Sequence, residues 1–350
     1  MHDVLSLLAA GVFALGGVPA LAGGPGTSGD PAPGGDPPSA EELALTQALE
    51  AYLADQDDLR RVELDDESSA VLWSDFPRGT VRETEKRCGQ ILERLDRALG
   101  PRALGLDEAG EELDGAVVHL LMLRDERAYH ALCDALGEAA PRLRSYFRSC
   151  RDTTGFTLYA PELTVYYHDP LVQQEALPDR AVAHNLVHLE LHRRYGLLPL
   201  WLAEGIAVAG EEGAWGEVWA PWNLDGFVWA SSHGDWRGRD TREAVADTEG
   251  ELDLLYRYAA DPYRDTQARL AFAFATYGLD RDPVAFRTFL DALVVARPAP
   301  GPNPVRWSPE PALARAVVLA HFGAEFGEDF TKWWRRPPSW KKKVKPIERD

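Results

Sequence analysis

DRAVAHNLVHLELHRRY, residues Asp179–Tyr195, runs into Gly196 and then into LLPLWLAEGIAVAGEE, residues Leu197–Glu212. Apolar residues recur through the first segment at helical spacing, and Gly196 is placed to end the helix. His184 and His188 are four residues apart, hence one turn apart on one face. Two imidazoles so placed can each give one nitrogen to a single metal ion. Pro199 suits the first turn of a second helix, and Glu204 lies one to two turns into it. A tight helix–turn–helix can return that carboxylate to the same ion as its third protein ligand, leaving one position for water.

An HxxxH pair by itself is a common accident, and its plain alternative is a half-exposed packing face. The downstream WLAEG segment at suitable spacing is what favours a metal site. His192 continues the i, i+4 series, but read with His188 it places Leu189 between the histidines. Glu190 lies five residues beyond Asn185, about 140° further round the helix, and reads as a solvated or salt-bridged surface residue beside Arg193 and Arg194. Glu211 and Glu212 read as a solvated helix end, with an orienting contact to a ligand histidine as the alternative.

Outward from this segment, strands precede and helices follow, an α+β order. Ser39 with Glu42 forms a capping box before Leu45, Leu49 and Leu53. Ser69–Trp73 and Val117–Leu123 read as strands, and Phe156–Tyr159 and Leu163–Tyr167 as two more joined by a turn at Pro161. Thr80 with Glu83 caps a helix whose apolar face runs Val81, Cys88, Ile91, Leu92, Leu95 and Leu99. Another helix covers Glu126–Leu136. Beyond residue 178 the pattern is helical almost to the end, broken at 213–238 and 298–311. Tyr166 and Tyr167, on a presumed edge strand, read as one core and one outward tyrosine, with pairing to a peptide backbone as the alternative. Five of the eleven tryptophans lie between Trp215 and Trp236, either packing a loop-rich lobe or walling a ligand site.

The chain has 350 residues, 45% of them apolar, ample for a large core, and a formal net charge of −19. That charge argues against general nucleic-acid binding. Residues 331–350 run against it, with eight Lys/Arg and two Asp/Glu, and read as a solvated basic terminus. Cys88, Cys133 and Cys150 include no CxxC pair; they allow one disulfide, such as Cys133–Cys150, with one thiol left over. Val4–Leu15 is almost wholly apolar and Ala20-Leu21-Ala22 follows, the pattern of a secretory signal cleaved after Ala22. An uncleaved leader acting as a membrane anchor is the alternative. The expected organisation is a signal peptide over 1–22, a Gly/Pro-rich linker over 23–40, a main domain over 41–296, a Pro-rich linker over 297–311, and C-terminal helices with the basic tail over 312–350.

VAHNLVHLELHRRYGLLPLWLAEGIAVAGEE (182–212) resembles the gluzincin zinc metallopeptidases, specifically the bacterial peptidase MA-like domains, which carry HExxH on one helix and WLxEG on the next. SSAVLWSDFPRGTVRETEKRCGQILERLDRALG (68–100) is similar to their leading strand and long helix. VVHLLMLRDERAYHALCDALG (117–137) is similar to their second strand and helix, and GFTLYAPELTVYYHD (155–169) to their edge strands. QARLAFAFATYGLDRDPVAFRTFLDAL (267–293) is a less specific match to their closing helices. The resemblance implies a zincin-like α+β fold, with a small, mostly antiparallel sheet over the active-site helix and a helical C-terminal lobe. It implies a zinc ion on His184, His188 and Glu204. The family's general base is the glutamate after the first histidine, and here that position holds Asn185, an amide with no useful basicity near neutral pH. General acid–base groups contribute about 10² to 10⁴ in rate, so the resemblance and the departure together point to an exported peptidase homologue of weak or no activity that binds peptides or a protein partner. An active zinc peptidase using another base, and a metal-free structural protein, are the alternatives. Tyr263 and His233 are candidates for stabilising an oxyanion.

Overall fold

The structure, a computed structural model, describes residues 39–64, 70–100, 117–169, 178–218, 236–248, 252, 255, 265–297 and 309–339. The leader, most of both linkers, the tryptophan-rich stretch 219–235 with His233, Tyr263, and Lys341, Lys342, Lys343 and Lys345 of the tail lie outside them. The described residues form two compact units. Unit 1 draws on Met1–Glu85 and Ala103–Val182, and unit 2 on Lys86–Arg102 and Ala183–Asp350.

Unit 1 is built on one five-stranded sheet: β1 (Arg60–Glu63), β2 (Ala70–Ser74), β3 (Val118–Leu123), β4 (Gly155–Tyr159) and β5 (Glu162–Tyr167), in the order β1-β2-β3-β5-β4. The two outer pairings are antiparallel and the two inner ones parallel. The sheet is therefore mixed, not mostly antiparallel. Helix α2 (Arg78–Leu99) stands between β2 and β3 in sequence, and a crossover of that length lets the second strand run parallel to the first. The inner strands are buried on both faces almost throughout, and every residue of β5 is buried. Tyr166 and Tyr167 are accordingly both interior. Since β5 is hydrogen-bonded to β3 on one side and β4 on the other, it offers no free edge for strand addition.

Three further helices belong to this unit: α1 (Ala40–Ala54), α3 (Glu126–Ala139) and α4 (Arg144–Cys150). The Ser39/Glu42 capping box forms as its spacing predicts, with the Ser39 hydroxyl accepting from the Glu42 N–H and the Glu42 carboxylate accepting from the Ser39 N–H. Leu45, Leu49 and Leu53 of α1 enter one core with Tyr129, Leu132 and Leu136 of α3, Phe147 of α4, and Leu121, Leu163 and Val165 of the sheet. Each large apolar side chain buried this way contributes roughly 1.5–3 kcal/mol. Helix α2 begins at Arg78, so Thr80 lies inside its first turn instead of capping it. Cys88, Cys133 and Cys150 are all buried, and none of them is in a disulfide.

Unit 2 is helical. It contains the later part of α2, α5 (Asp179–Tyr195) from Ala183 onward, α6 (Leu200–Trp215), α7 (Arg239–Asp247), α8 (Asp265–Asp280), α9 (Pro283–Val295), α10 (Pro311–Phe322) and α11 (Phe326–Trp334). Its core is aromatic: Phe274 of α8 packs edge-on against Phe286, Phe289 and Phe326, and the Trp334 ring meets Phe272. Edge-to-face pairs of this kind add about 0.5–1.5 kcal/mol beyond area burial. Helices α6 and α8 approach closely at Gly205, where an added Cβ would sit 2.5 Å from the Ala271 carbonyl oxygen and 2.7 Å from its carbon. Those are backbone atoms and cannot swing aside. Gly205→Ala gains about 1 kcal/mol of helix propensity and incurs an overpacking cost at or above the usual 1–3 kcal/mol. A net destabilisation of about 2 kcal/mol is expected in urea unfolding; a stabilised variant would refute the close approach.

Candidate metal centre

Helix α5 places the histidines and α6 the glutamate. Gly196 ends α5 with φ +64°, a conformation that glycine adopts freely, and its N–H returns to the His192 carbonyl. Pro199 then occupies the N-cap position of α6, one residue before the helix begins. The short link puts His188 beside the start of α6 and His184 one turn farther along it.

The three side chains converge. His184 Nε2 lies 3.2 Å from His188 Nε2 and 3.3 Å from Glu204 Oε2, and His188 Nε2 lies 3.4 Å from Glu204 Oε1. They are 6%, 8% and 6% exposed. Zinc–ligand bonds of about 2.0–2.1 Å in tetrahedral geometry imply ligand–ligand separations near 3.3 Å, the spacing seen here. Three ligand atoms at such distances are close enough to share a cation, and the group is able to hold a metal ion. The donor set of two imidazoles and one carboxylate leaves room for a further ligand.

Electrostatics in the metal-free state follow from the same packing. Burial works against a charged His184, but the Glu204 and Glu211 carboxylates outweigh it and hold its pKa up at about 9. Burial also works against a charged Glu204; His188 and His184 outweigh it and hold that carboxyl down at about 2. A cation would replace the proton that these groups share.

The surrounding acidic residues divide by their position on the helix. Glu211 is seven residues beyond Glu204, two turns along the same face of α6. It is fully buried, with Oε2 3.7 Å from His184 Nδ1. The nitrogen of His184 that turns away from Glu204 thus faces a carboxylate, an arrangement that orients a ligand imidazole. Glu212, also fully buried, faces elsewhere: its two oxygens accept from Arg237 Nε at 2.8 and 2.9 Å. Arg237 Nη2 donates to Asp280 Oδ2 at 3.0 Å, and Arg94 Nε donates to Asp280 Oδ1 at 2.9 Å. Neither Glu211 nor Glu212 belongs to a solvated helix end. The sequence held no signal for the cluster of Glu212, Arg237, Asp280 and Arg94, because those residues come from distant parts of the chain.

Glu190 is fully buried rather than on the surface, with Oε2 3.9 Å from Arg194 Nε. Arg194 in turn donates to the Gly100 carbonyl at 2.5 Å and pairs with Asp96. His192 does not join the metal-capable group; burial, reinforced by Arg297, pushes its pKa down to about 4. Asn185 is 5% exposed and lies about 60° round the helix from His188, flanking the face that carries both histidines. Trp215 and Trp236, the described ends of the tryptophan-rich stretch, carry arginines on their rings: Arg87 over Trp215 at 5.8 Å and Arg269 over Trp236 at 4.8 Å. Among the described residues no helix is long and apolar enough to cross a membrane. The chain matches no protein-family model and no curated protein.

Proposed function

We propose that His184, His188 and Glu204 hold a zinc ion in a zincin-like scaffold of the gluzincin, peptidase MA-like type, in which hydrolysis is disabled at Asn185. The protein then binds peptides or a protein partner without cleaving them. The observation that carries this reading is the convergence of two imidazoles and one carboxylate at tetrahedral spacing, next to a neutral amide. Zinc held there would polarise a carbonyl and lower the pKa of bound water. The chain's own residues would do the rest: Glu211 orients His184, and the buried walls exclude bulk water. Asn185 could hydrogen-bond a ligand but could not accept and return a proton. Three described carboxylates of α5 and α6 are committed elsewhere: Glu190 pairs with Arg194, Glu212 with Arg237, and Glu211 faces the far nitrogen of His184. Export is part of the proposal and rests on the apolar Val4–Leu15 stretch and Ala20-Leu21-Ala22.

Metal analysis of the purified full chain tests it. About one zinc per chain is expected in the wild type and close to none in His188→Ala, with helical circular dichroism retained. Zinc absent from the wild type, or equally present in the variant, would sink the metal reading. Turnover of an unstructured protein substrate by the wild type would contradict the loss of hydrolysis.

A further inference from the structure

Strand β1 is built to take a second copy of the chain: we infer that β1 of one chain pairs with β1 of another, antiparallel about a two-fold axis, with Arg61 opposite Glu63. Strand β1 ends the sheet and is paired with β2 on one side only. The Leu64 N–H donates to the Ala70 carbonyl. Ladder alternation therefore turns the N–H and C=O groups of Arg60 and Val62 toward β2, and those of Arg61 and Glu63 away from it. Among the described residues these outward groups have no hydrogen-bond partner. The other edge strand, β4, is mostly buried, whereas the Arg61 and Glu63 side chains are 49% and 58% exposed.

An exposed edge is commonly guarded by charges that repel a second strand. Here the two charges are opposite in sign and two residues apart, hence on one face of the strand. They pair with each other at 2.6 Å. An exposed pair of that kind is held weakly, so the two can exchange partners. Two-fold pairing through the outward groups admits few registers. Arg61 opposite Arg61, or Glu63 opposite Glu63, sets like charges across the strands, which is unfavourable. Arg61 opposite Glu63 gives an ion pair on each side of the axis, brings Val62 against its counterpart, and satisfies the outward N–H and C=O groups of both strands. The charges thus select one register and make the edge complementary to itself, as a two-fold interface requires. The strand is short and the contact small, so the dimer is a dissociable one.

Sedimentation velocity of the full chain, from micromolar to millimolar concentration, is the test, and no arm of it depends on the metal. The wild type is expected to pass reversibly from monomer to dimer. Arg61→Glu and Glu63→Arg should each weaken self-association by about tenfold or more, because each places two like-charge pairs across the axis. An equimolar mixture of the two variants should recover the wild-type affinity, since one strand then carries two glutamates and the other two arginines. That recovery also shows that both variants are folded. The double variant Arg61→Glu with Glu63→Arg restores both opposite pairs between identical chains, and it should dimerise as the wild type does. A wild type that stays monomeric throughout overturns the inference. So does a dimer that both single variants keep at full strength, or a double variant that stays monomeric.

Discussion

Asn185→Glu is expected to raise hydrolysis of an unstructured protein substrate by about 10² to 10⁴ over the wild type, the usual contribution of a positioned general base. The change leaves the proposed ligand set, His184, His188 and Glu204, in place, since residue 185 is not a member of it. What the substitution supplies is a group able to take a proton and return it. Asn185→Gln is the control: it has the length of glutamate without its basicity, and it should stay at the wild-type rate. Both variants should carry the same amount of zinc as the wild type. A glutamate variant that binds zinc and remains silent would mean that more than one group has been lost. Activity equal in the two variants would mean that residue 185 is not the base position.

Arg237→Ala is expected to destabilise the full chain by about 3–5 kcal/mol, the range for removing one partner from a buried ion pair. Arg237 donates to both oxygens of the fully buried Glu212 carboxylate, and it also meets Asp280 at 3.0 Å. Its remaining nitrogen donates to the Pro338 carbonyl at 3.1 Å, tying the end of the described chain to the same cluster. Arg94 still serves Asp280 in the variant, so Glu212 is the charge left stranded. The double variant Arg237→Ala with Glu212→Gln should recover part of the loss, since it removes that stranded charge, and the coupling between the two sites measures the pair. Because the cluster is shielded from solvent, the loss should persist at 1 M salt, where exposed pairs are screened within about 3 Å. A loss under 1 kcal/mol, or one abolished by salt, would place Arg237 with ordinary surface pairs.

The parts of this chain that were legible in its sequence are those set by local geometry. The Ser39/Glu42 box, the apolar face of α1, the buried runs of β2, β3, β4 and β5, and the helix from Asp179 to Tyr195 stopped by Gly196 follow from contacts within a few residues. The i, i+4 spacing of His184 and His188 is local in the same sense, and the short link to α6 extends it to Glu204. Strand β1 gave no signal, because its burial is almost nil and only its ladder to β2 makes Arg60–Glu63 a strand. The sequence also suggested a mostly antiparallel sheet with an edge at Tyr166–Tyr167. Which strands are neighbours depends on how the chain crosses over, and the parallel β3–β5 pairing with β4 outside it moved that edge.

The acidic residues near the centre show the boundary between the two most directly. By itself the sequence placed Glu204 on the second helix, Glu211 and Glu212 toward that helix's end, and an amide beside the first histidine. Only the tertiary structure decided their surroundings. It buries Glu211 against His184, commits Glu212 to Arg237, and buries Glu190 beside Arg194. The reason is physical: helical periodicity fixes the direction of a side chain relative to its own helix, whereas burial and charge pairing depend on residues such as Asp280 and Arg237 that only the folded chain brings near.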